Sequence, residues 1–297
     1  MNRKDALEEF FLDQKLRGNS KLTTEYYERA LRFFYDFVGD IDTNEITLIT
    51  CKRYVVHLQE DPTKSTVTVQ SYVRALRAYL KWLYDNEYIE KNIPEKLKLP
   101  KAQFKVQDIL TEDEIQNLLS CFDENTFEGL RNLCMISFML GSGLRLNEVI
   151  TMQKAHVHVD AGYAIVNGKG NKQRNVPISE FTKEKLEKFE RIRPNTKLMF
   201  TQSDGKELSR NTMKDIFRKL KIKTGIPRLH AHLLRHTFAT MYLGNGGNIY
   251  TLQTILGHTS LEMVKKYLHI SPQYVVANFA SFSPLDVKKA DTMIFGK

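Results

Sequence analysis

Five residues in the second half of the chain could act together on one anion: Arg145 in GSGLRLNEV, Lys169 in GKGNK, His232 and Arg235 in HLLRH, and His258 in LGHTS. A phosphodiester under in-line attack builds charge on its non-bridging oxygens, and two arginines can each offer paired N–H donors there without losing their own charge. His232 and Arg235, three residues apart, project to one side of a helix, so one can position or deprotonate a nucleophile while the other holds the phosphate. Tyr267, nine residues after His258 in LGHTSLEMVKKYLHI, can be that nucleophile if cations stabilise its phenolate and a histidine takes its proton.

Taken singly, each residue has an ordinary structural reading. An arginine in a Gly-rich turn caps a helix, a lysine in a hairpin turn is solvated, and a helical histidine satisfies a local bond. With 13 tyrosines in the chain, position alone selects none of them. Two competing chemistries fail on residue type. Gly162 and Gly168-Lys169-Gly170 resemble a phosphate loop, but the glycine spacing is wrong and no Ser or Thr follows the lysine to reach Mg²⁺. His232 and His236 stand four apart as in a zinc helix, yet Leu, Leu and Arg lie between them, with no glutamate and with a cation where the metal would sit. No metal or cofactor is expected.

These side chains need a framework. Tyr27, Ala30, Leu31, Phe34, Phe37 and Val38 recur at helical spacing, as do Val69, Tyr72, Val73, Leu76, Leu80 and Leu83, so residues 1–92 read as amphipathic helices that cover one another. The lysine-rich stretch KNIPEKLKLPKAQFK carries Pro94 and Pro100 without a helical period, which predicts a basic linker over residues 93–107. Thr111 followed by Glu114 is a capping-box signal, so a second domain is expected over 108–297. Within it, Tyr163 to Val166, a Gly/Asn turn, and Val176 to Ile178 read as a small hairpin. The fold class is mainly α with a small β-hairpin or sheet, an α+β chain of two unlike domains.

The 297 residues carry 44 Lys+Arg against 35 Asp+Glu, a net charge of +9, of which +7 falls after residue 105. That balance suits a phosphate-bearing partner without proving one. With 42% hydrophobic and 27% charged residues, a packed core is possible and a disordered or fibrous chain is excluded. Apolar runs such as Cys134 to Met139 stop far short of the roughly 20 residues a bilayer span needs. The N-terminal MNRKDALEEF has no apolar leader, so a cytoplasmic protein is expected. Cys51, Cys121 and Cys134 are odd in number and widely spaced, which predicts reduced, packed thiols.

The ordered strings GLRxxEV, GKGNKQRxVP, HxxRH and LGH, with a tyrosine nine residues later, resemble the tyrosine recombinase (phage integrase) family, especially its compact Xer branch and similar transposon integrases. The stretch FFLDQKLRGNSKLTTEYYERALRFFYDFV looks like that family's helical core-binding (SAM-like) domain, and the chain from residue 108 looks like its catalytic domain.

The resemblance implies roles. Arg145 and Arg235 would clamp the scissile phosphate with His232 and His258, and Glu148 would support Arg145, a surface ion pair being the plainer alternative. Lys169, in preference to Lys172, would protonate the leaving 5′ oxygen. Tyr267 would attack and form a 3′-phosphotyrosine bond. His236 is left as structural. Lys98, Lys101 and Lys105 of the linker, Lys172 and Arg174 of the hairpin, and Arg210 and Lys214 of a basic helix would contact DNA. The family clamps double-stranded DNA in a C shape between its two domains. It works as a homotetramer on paired core half-sites, through a Holliday junction, from a protein that is monomeric when free. The apolar tail with Tyr274, Val275, Phe279 and Phe282 would dock on a neighbouring protomer or pack in cis; accessory proteins stay open. Alternatives are a non-cutting DNA-binding regulator, a type IB topoisomerase-like relaxing enzyme, and a helical scaffold with an incidental basic surface. The DNA sequence recognised, and the choice among integration, excision and dimer resolution, are not legible in any motif.

Overall fold

The computed structural model describes residues 1–101, 108–168, 173–258, 260–265 and 267. The chain divides into two compact units, Met1–Lys105 and Val106–Lys297, each with its own hydrophobic core. It is mostly helical with one small sheet.

The first unit holds α1 (Arg3–Leu16), α2 (Lys21–Val38), α3 (Leu48–Glu60), α4 (Thr66–Asp85) and the short α5 (Ile93–Lys96). Hydroxyl caps start three of these helices: Ser20, Thr47 and Ser65 accept the backbone N–H of Thr23, Thr50 and Thr68, satisfying donors the helix itself cannot. The apolar stripes of α2 and α4 meet in the core. Phe34, Leu76 and Leu80 are buried there, and the Tyr35 and Tyr79 hydroxyls hydrogen-bond each other at 2.8 Å. Each large side chain so buried contributes on the order of 2 kcal/mol, and pairing the two hydroxyls removes the penalty of hiding them.

The first residues of the expected linker, Ile93–Lys96, form α5. Asn92 caps the backbone N–H of Glu95, and Pro94 sits in the first turn of α5, where its missing N–H costs nothing. Ile93 and Leu97 pack into the first core. Arg77 Nε donates to the Pro94 carbonyl at 3.1 Å and Gln70 Nε2 to the Pro100 carbonyl at 2.7 Å, tying the strap to α4. Proline here starts a helix instead of breaking one, which is why the period was invisible over so short a turn.

The second unit runs α6 (Glu112–Ser120), α7 (Phe127–Gly141), α8 (Leu146–Ile150), the strands β1 (Val157–His158), β2 (Tyr163–Asn167) and β3 (Gln173–Pro177), then α9 (Glu180–Glu190), α10 (Arg210–Thr224), α11 (Ala231–Gly244), α12 (Ile249–Leu256) and α13 (Glu262–Lys265). The Thr111–Glu114 capping box is formed on both sides, at 3.2 and 2.9 Å. The helix α7 is apolar almost all round and lies in the core, against α9 and α11. The sheet is antiparallel in the order β1-β2-β3, with Ala164 opposite Val176 and Val166 opposite Arg174. Its first strand, two residues long, was too short to read as a period. No helix among the described residues is long and apolar enough to cross a membrane.

Candidate active site

Arg145 is the residue just before α8, and Glu148 is three residues into that helix. The Glu148 carboxylate therefore folds back to accept the Arg145 backbone N–H at 2.8 Å and its Nη1–H at 2.9 Å. This is the returning half of a capping box alone, since the Arg145 guanidinium has no acceptor for the helix N–H groups. Glu148 is buried, not a surface partner, and it also receives two N–H donors from Arg174, at 3.1 and 3.0 Å. Burial pushes the Glu148 carboxyl up, but the Arg174 hydrogen bonds and charge, with those of Arg145, outweigh it and hold it below the usual carboxylate range. Arg145 keeps 34% of its side chain exposed.

Arg174 differs from its expected DNA-contact role. Its side chain is 9% exposed, and Nε donates to the Ile255 carbonyl at 2.8 Å while both Nη groups serve Glu148. A guanidinium so committed braces β3 against α8 and α12. The alternation of the strand carried the signal: Arg174 has the same parity as buried Val176 and therefore points inward.

Arg235 is buried to 4% exposure midway along α11. Its Nη1 donates to the Gly143 carbonyl at 2.6 Å, and its Nη2 to the Leu256 carbonyl at 2.8 Å and to His258 Nε2 at 2.9 Å. A guanidinium only donates, so Nε2 is the acceptor and the His258 proton sits on Nδ1. Burial, then the neighbouring Arg145 charge, pushes the Arg235 pKa down to about 10 against the opposing pull of Glu148; it stays protonated at neutral pH. Gly143 makes the approach possible, because at φ +66 a Cβ there would collide with the Phe238 ring and lie 2.7 Å from Leu256. Gly257, also left-handed, ends α12 and turns the chain into His258.

Tyr267 is 6% exposed and packs with Ala239, Leu243, Leu252, Leu256 and Val264, a small core shared by α11, α12 and α13. Its hydroxyl lies 3.0 Å from His236 Nδ1, and its ring lies nearly parallel to that of His258, centroids 6.5 Å apart. Burial pushes the phenol pKa up, while Arg235 and Arg145 pull it back only in part.

The fold thus brings together Arg145, Glu148, Arg235, His258 and Tyr267, which lie far apart in sequence. His232 stands exposed on α11, one turn before Arg235 and His236. Lys105, Lys169, Lys172 and the tail residues Tyr274, Val275, Phe279 and Phe282 lie outside the described residues. Lys98, Lys101 and Lys214 are exposed. Arg210, also exposed, donates to Asn147 Oδ1 at 3.3 and 3.2 Å, linking the start of α10 to α8. The sequence reading missed the contact of His236 with Tyr267, because nothing in the HLLRH string says which residue meets a phenol thirty-one positions on.

A mostly helical chain of two units, with a three-stranded antiparallel sheet and a tyrosine among arginines and histidines, has the architecture of a tyrosine recombinase. Residues 108–274 match the phage integrase family and residues 5–99 the phage integrase SAM-like domain; the chain belongs to the phage integrase family. It is similar to the tyrosine recombinase XerD of Oceanobacillus iheyensis, 29% identical over 294 residues, covering 94% of this chain and 98% of that protein. The Staphylococcus aureus tyrosine recombinase XerD is 29% identical over 279 residues, 90% of this chain and 94% of its own. The fold is shared with the Tn1549 transposon integrase in complex with a circular intermediate DNA, at TM-score 0.76 and 20% identity over 94% of this chain and 99% of that one. A lambda integrase dimer bound to a COC′ core site gives TM-score 0.74 at 18% identity, over 90% and 95%. The chain is a tyrosine site-specific recombinase, a DNA breaking and rejoining enzyme.

Proposed function

We propose that the enzyme cuts double-stranded DNA through a 3′-phosphotyrosine bond to Tyr267 and reseals it to a new partner, exchanging strands through a Holliday junction. The reading rests on one observation: Glu148 holds Arg145, the Gly143 and Leu256 carbonyls hold Arg235, whose Nη2 also reaches His258, and the buried Tyr267 ring lies nearly parallel to that of His258. Mutual repulsion of those cations is relieved by an anion between them, and a phosphodiester carries that charge where the attack must stabilise it.

In this reading Arg145, Arg235 and His258 bind the phosphate with His232, Glu148 holds Arg145, and Lys169 protonates the leaving 5′ oxygen. The phosphotyrosine ester conserves the energy of the broken bond, so an incoming 5′ hydroxyl reseals it without nucleotide hydrolysis. Residues 1–92 form the core-binding domain and 108–297 the catalytic one, joined by the strap that includes Lys98 and Lys101. Four copies act on paired core half-sites in the cytoplasm.

The test is a nicked suicide duplex drawn from the DNA flanking the gene, incubated with wild-type and Tyr267→Phe protein. A covalent complex on a denaturing gel, mapped to Tyr267 and lost in the variant, is the expected result. DNA that is bound but never forms an adduct would favour the non-cutting regulator instead.

A further inference from the structure

His258 enters the site from the turn that ends α12. The last four carbonyls of a helix have no partner inside it, and in α12 each finds one nearby. The His258 N–H donates to the Gln253 carbonyl and the Gly257 N–H to the Thr254 carbonyl, both at 3.1 Å. Arg174 Nε donates to the Ile255 carbonyl and Arg235 Nη2 to the Leu256 carbonyl, both at 2.8 Å. The two backbone bonds, with Gly257 left-handed, make a Schellman turn, which commonly closes with an apolar contact between the residues at its ends. Here the closing contact is polar: Gln253 Nε2 donates to the His258 carbonyl at 3.2 Å. One residue thus grips the His258 backbone on both sides of its Cα, while the imidazole Nε2 accepts from Arg235 at 2.9 Å.

We infer that Gln253 is the positioning residue of His258, its side-chain amide setting the direction in which the imidazole leaves the end of α12. The inference rests on the reading of His258 as a ligand of the scissile phosphate. The Schellman bonds stop at the His258 nitrogen and do not themselves set the rotation about its N–Cα bond. A bond to the carbonyl beyond Cα closes that rotation, and with it the direction of Cβ. The half-buried Gln253 side chain therefore acts through His258 and not on the substrate. Misplacing a group of the site by about 1 Å is enough to cost on the order of 100-fold in rate, so a lock one turn back along α12 bears directly on cleavage.

Gln253→Met keeps the length and helix-forming tendency of the side chain and removes its donor. Gln253→Glu keeps the shape and sets an acceptor against the His258 carbonyl. Single-turnover adduct formation on the nicked duplex, measured well below the melting temperature of every variant, should fall about 10-fold in Gln253→Met and at least as far in Gln253→Glu. Affinity for the duplex should change by less than about twofold. His258→Ala alone should lose about 100-fold. A residue that only stabilised the fold would add its own loss to that of His258→Ala, whereas one acting through His258 would not. The double variant of Gln253→Met with His258→Ala should therefore cleave within about twofold of His258→Ala. Gln253→Met cleaving within about twofold of wild type, or its loss recurring in full on top of His258→Ala, overturns the assignment while leaving His258 as a phosphate ligand. His258→Ala cleaving as fast as wild type overturns the reading of His258 itself, and this inference with it.

Discussion

Glu148 receives the fork of Arg174 on both carboxylate oxygens, at 3.1 and 3.0 Å, with the two side chains 7% and 9% exposed. The same carboxylate holds Arg145, so the partly exposed arginine of the site is aimed by an ion pair behind it. Removing one member leaves a charge buried without its partner.

Arg174→Met should therefore destabilise the protein by about 3–5 kcal/mol and slow adduct formation. Arg174→Lys should recover little, since an ammonium cannot span Glu148 and the Ile255 carbonyl together. Thermal unfolding and single-turnover cleavage check this; a Lys variant as stable as wild type would contradict the bracing role.

The same carboxylate sets a pH dependence. Its pKa is lower folded than unfolded, so the unfolded chain binds more protons, and the stabilisation is complete above about 4.3 and lost as pH falls through the folded value. Between about pH 5 and 3 the melting temperature of wild type should fall more steeply than that of Glu148→Gln. Glu114 and Glu124, also held low by cations, contribute equally to both proteins, so the difference in slope reports Glu148. Parallel slopes would count against it.

Gly143→Ala tests the close approach beneath Arg235. A Cβ must displace the Phe238 ring and Leu256 at a left-handed φ of +66, and strain of this kind costs about 1–3 kcal/mol before repacking is added. Calorimetry should show lower stability, and adduct formation should fall because the Gly143 carbonyl anchors Arg235. A change confined to stability would mean the anchor is dispensable.

Arg235→Lys keeps a charge but cannot reach the Gly143 and Leu256 carbonyls and His258 at once. Cleavage should drop by about 10²–10³ while binding to the duplex changes far less. Comparable losses in both, measured by gel shift and single-turnover cleavage, would make Arg235 a binding residue.

Lys98→Ala and Lys101→Ala address exposed lysines of the strap. If each meets a backbone phosphate, each substitution should reduce the slope of log affinity against log salt by about 1. An unchanged slope assigns that lysine to solvent.

Much of this was legible in one dimension. The hydrophobic period of α2 and α4 named Leu31, Phe34, Val69, Val73, Leu76, Leu80 and Leu83 of the first core, but not its members from α1 and α3, and it also named Phe37, which is exposed. Thr111 with Glu114 announced α6 by a bond closed within four residues, and the ordered strings around Arg145, Arg235, His258 and Tyr267 carried the family resemblance. These features depend on neighbours along the chain or on residue types that chemistry demands. The short α5 and the two-residue β1 were not legible, because neither is long enough to complete a period. Arg174 and His236 show what only the tertiary structure decided. An arginine on a strand and a histidine on a helix look the same in sequence whether they meet a phosphate, a carboxylate or a phenol, and their roles follow from which distant elements pack beside them. Packing buried the Arg174 guanidinium behind Glu148 and brought Tyr267 against α11, because the apolar faces of α11, α12 and α13 close on one another and leave the polar tips of their side chains to find partners at close range.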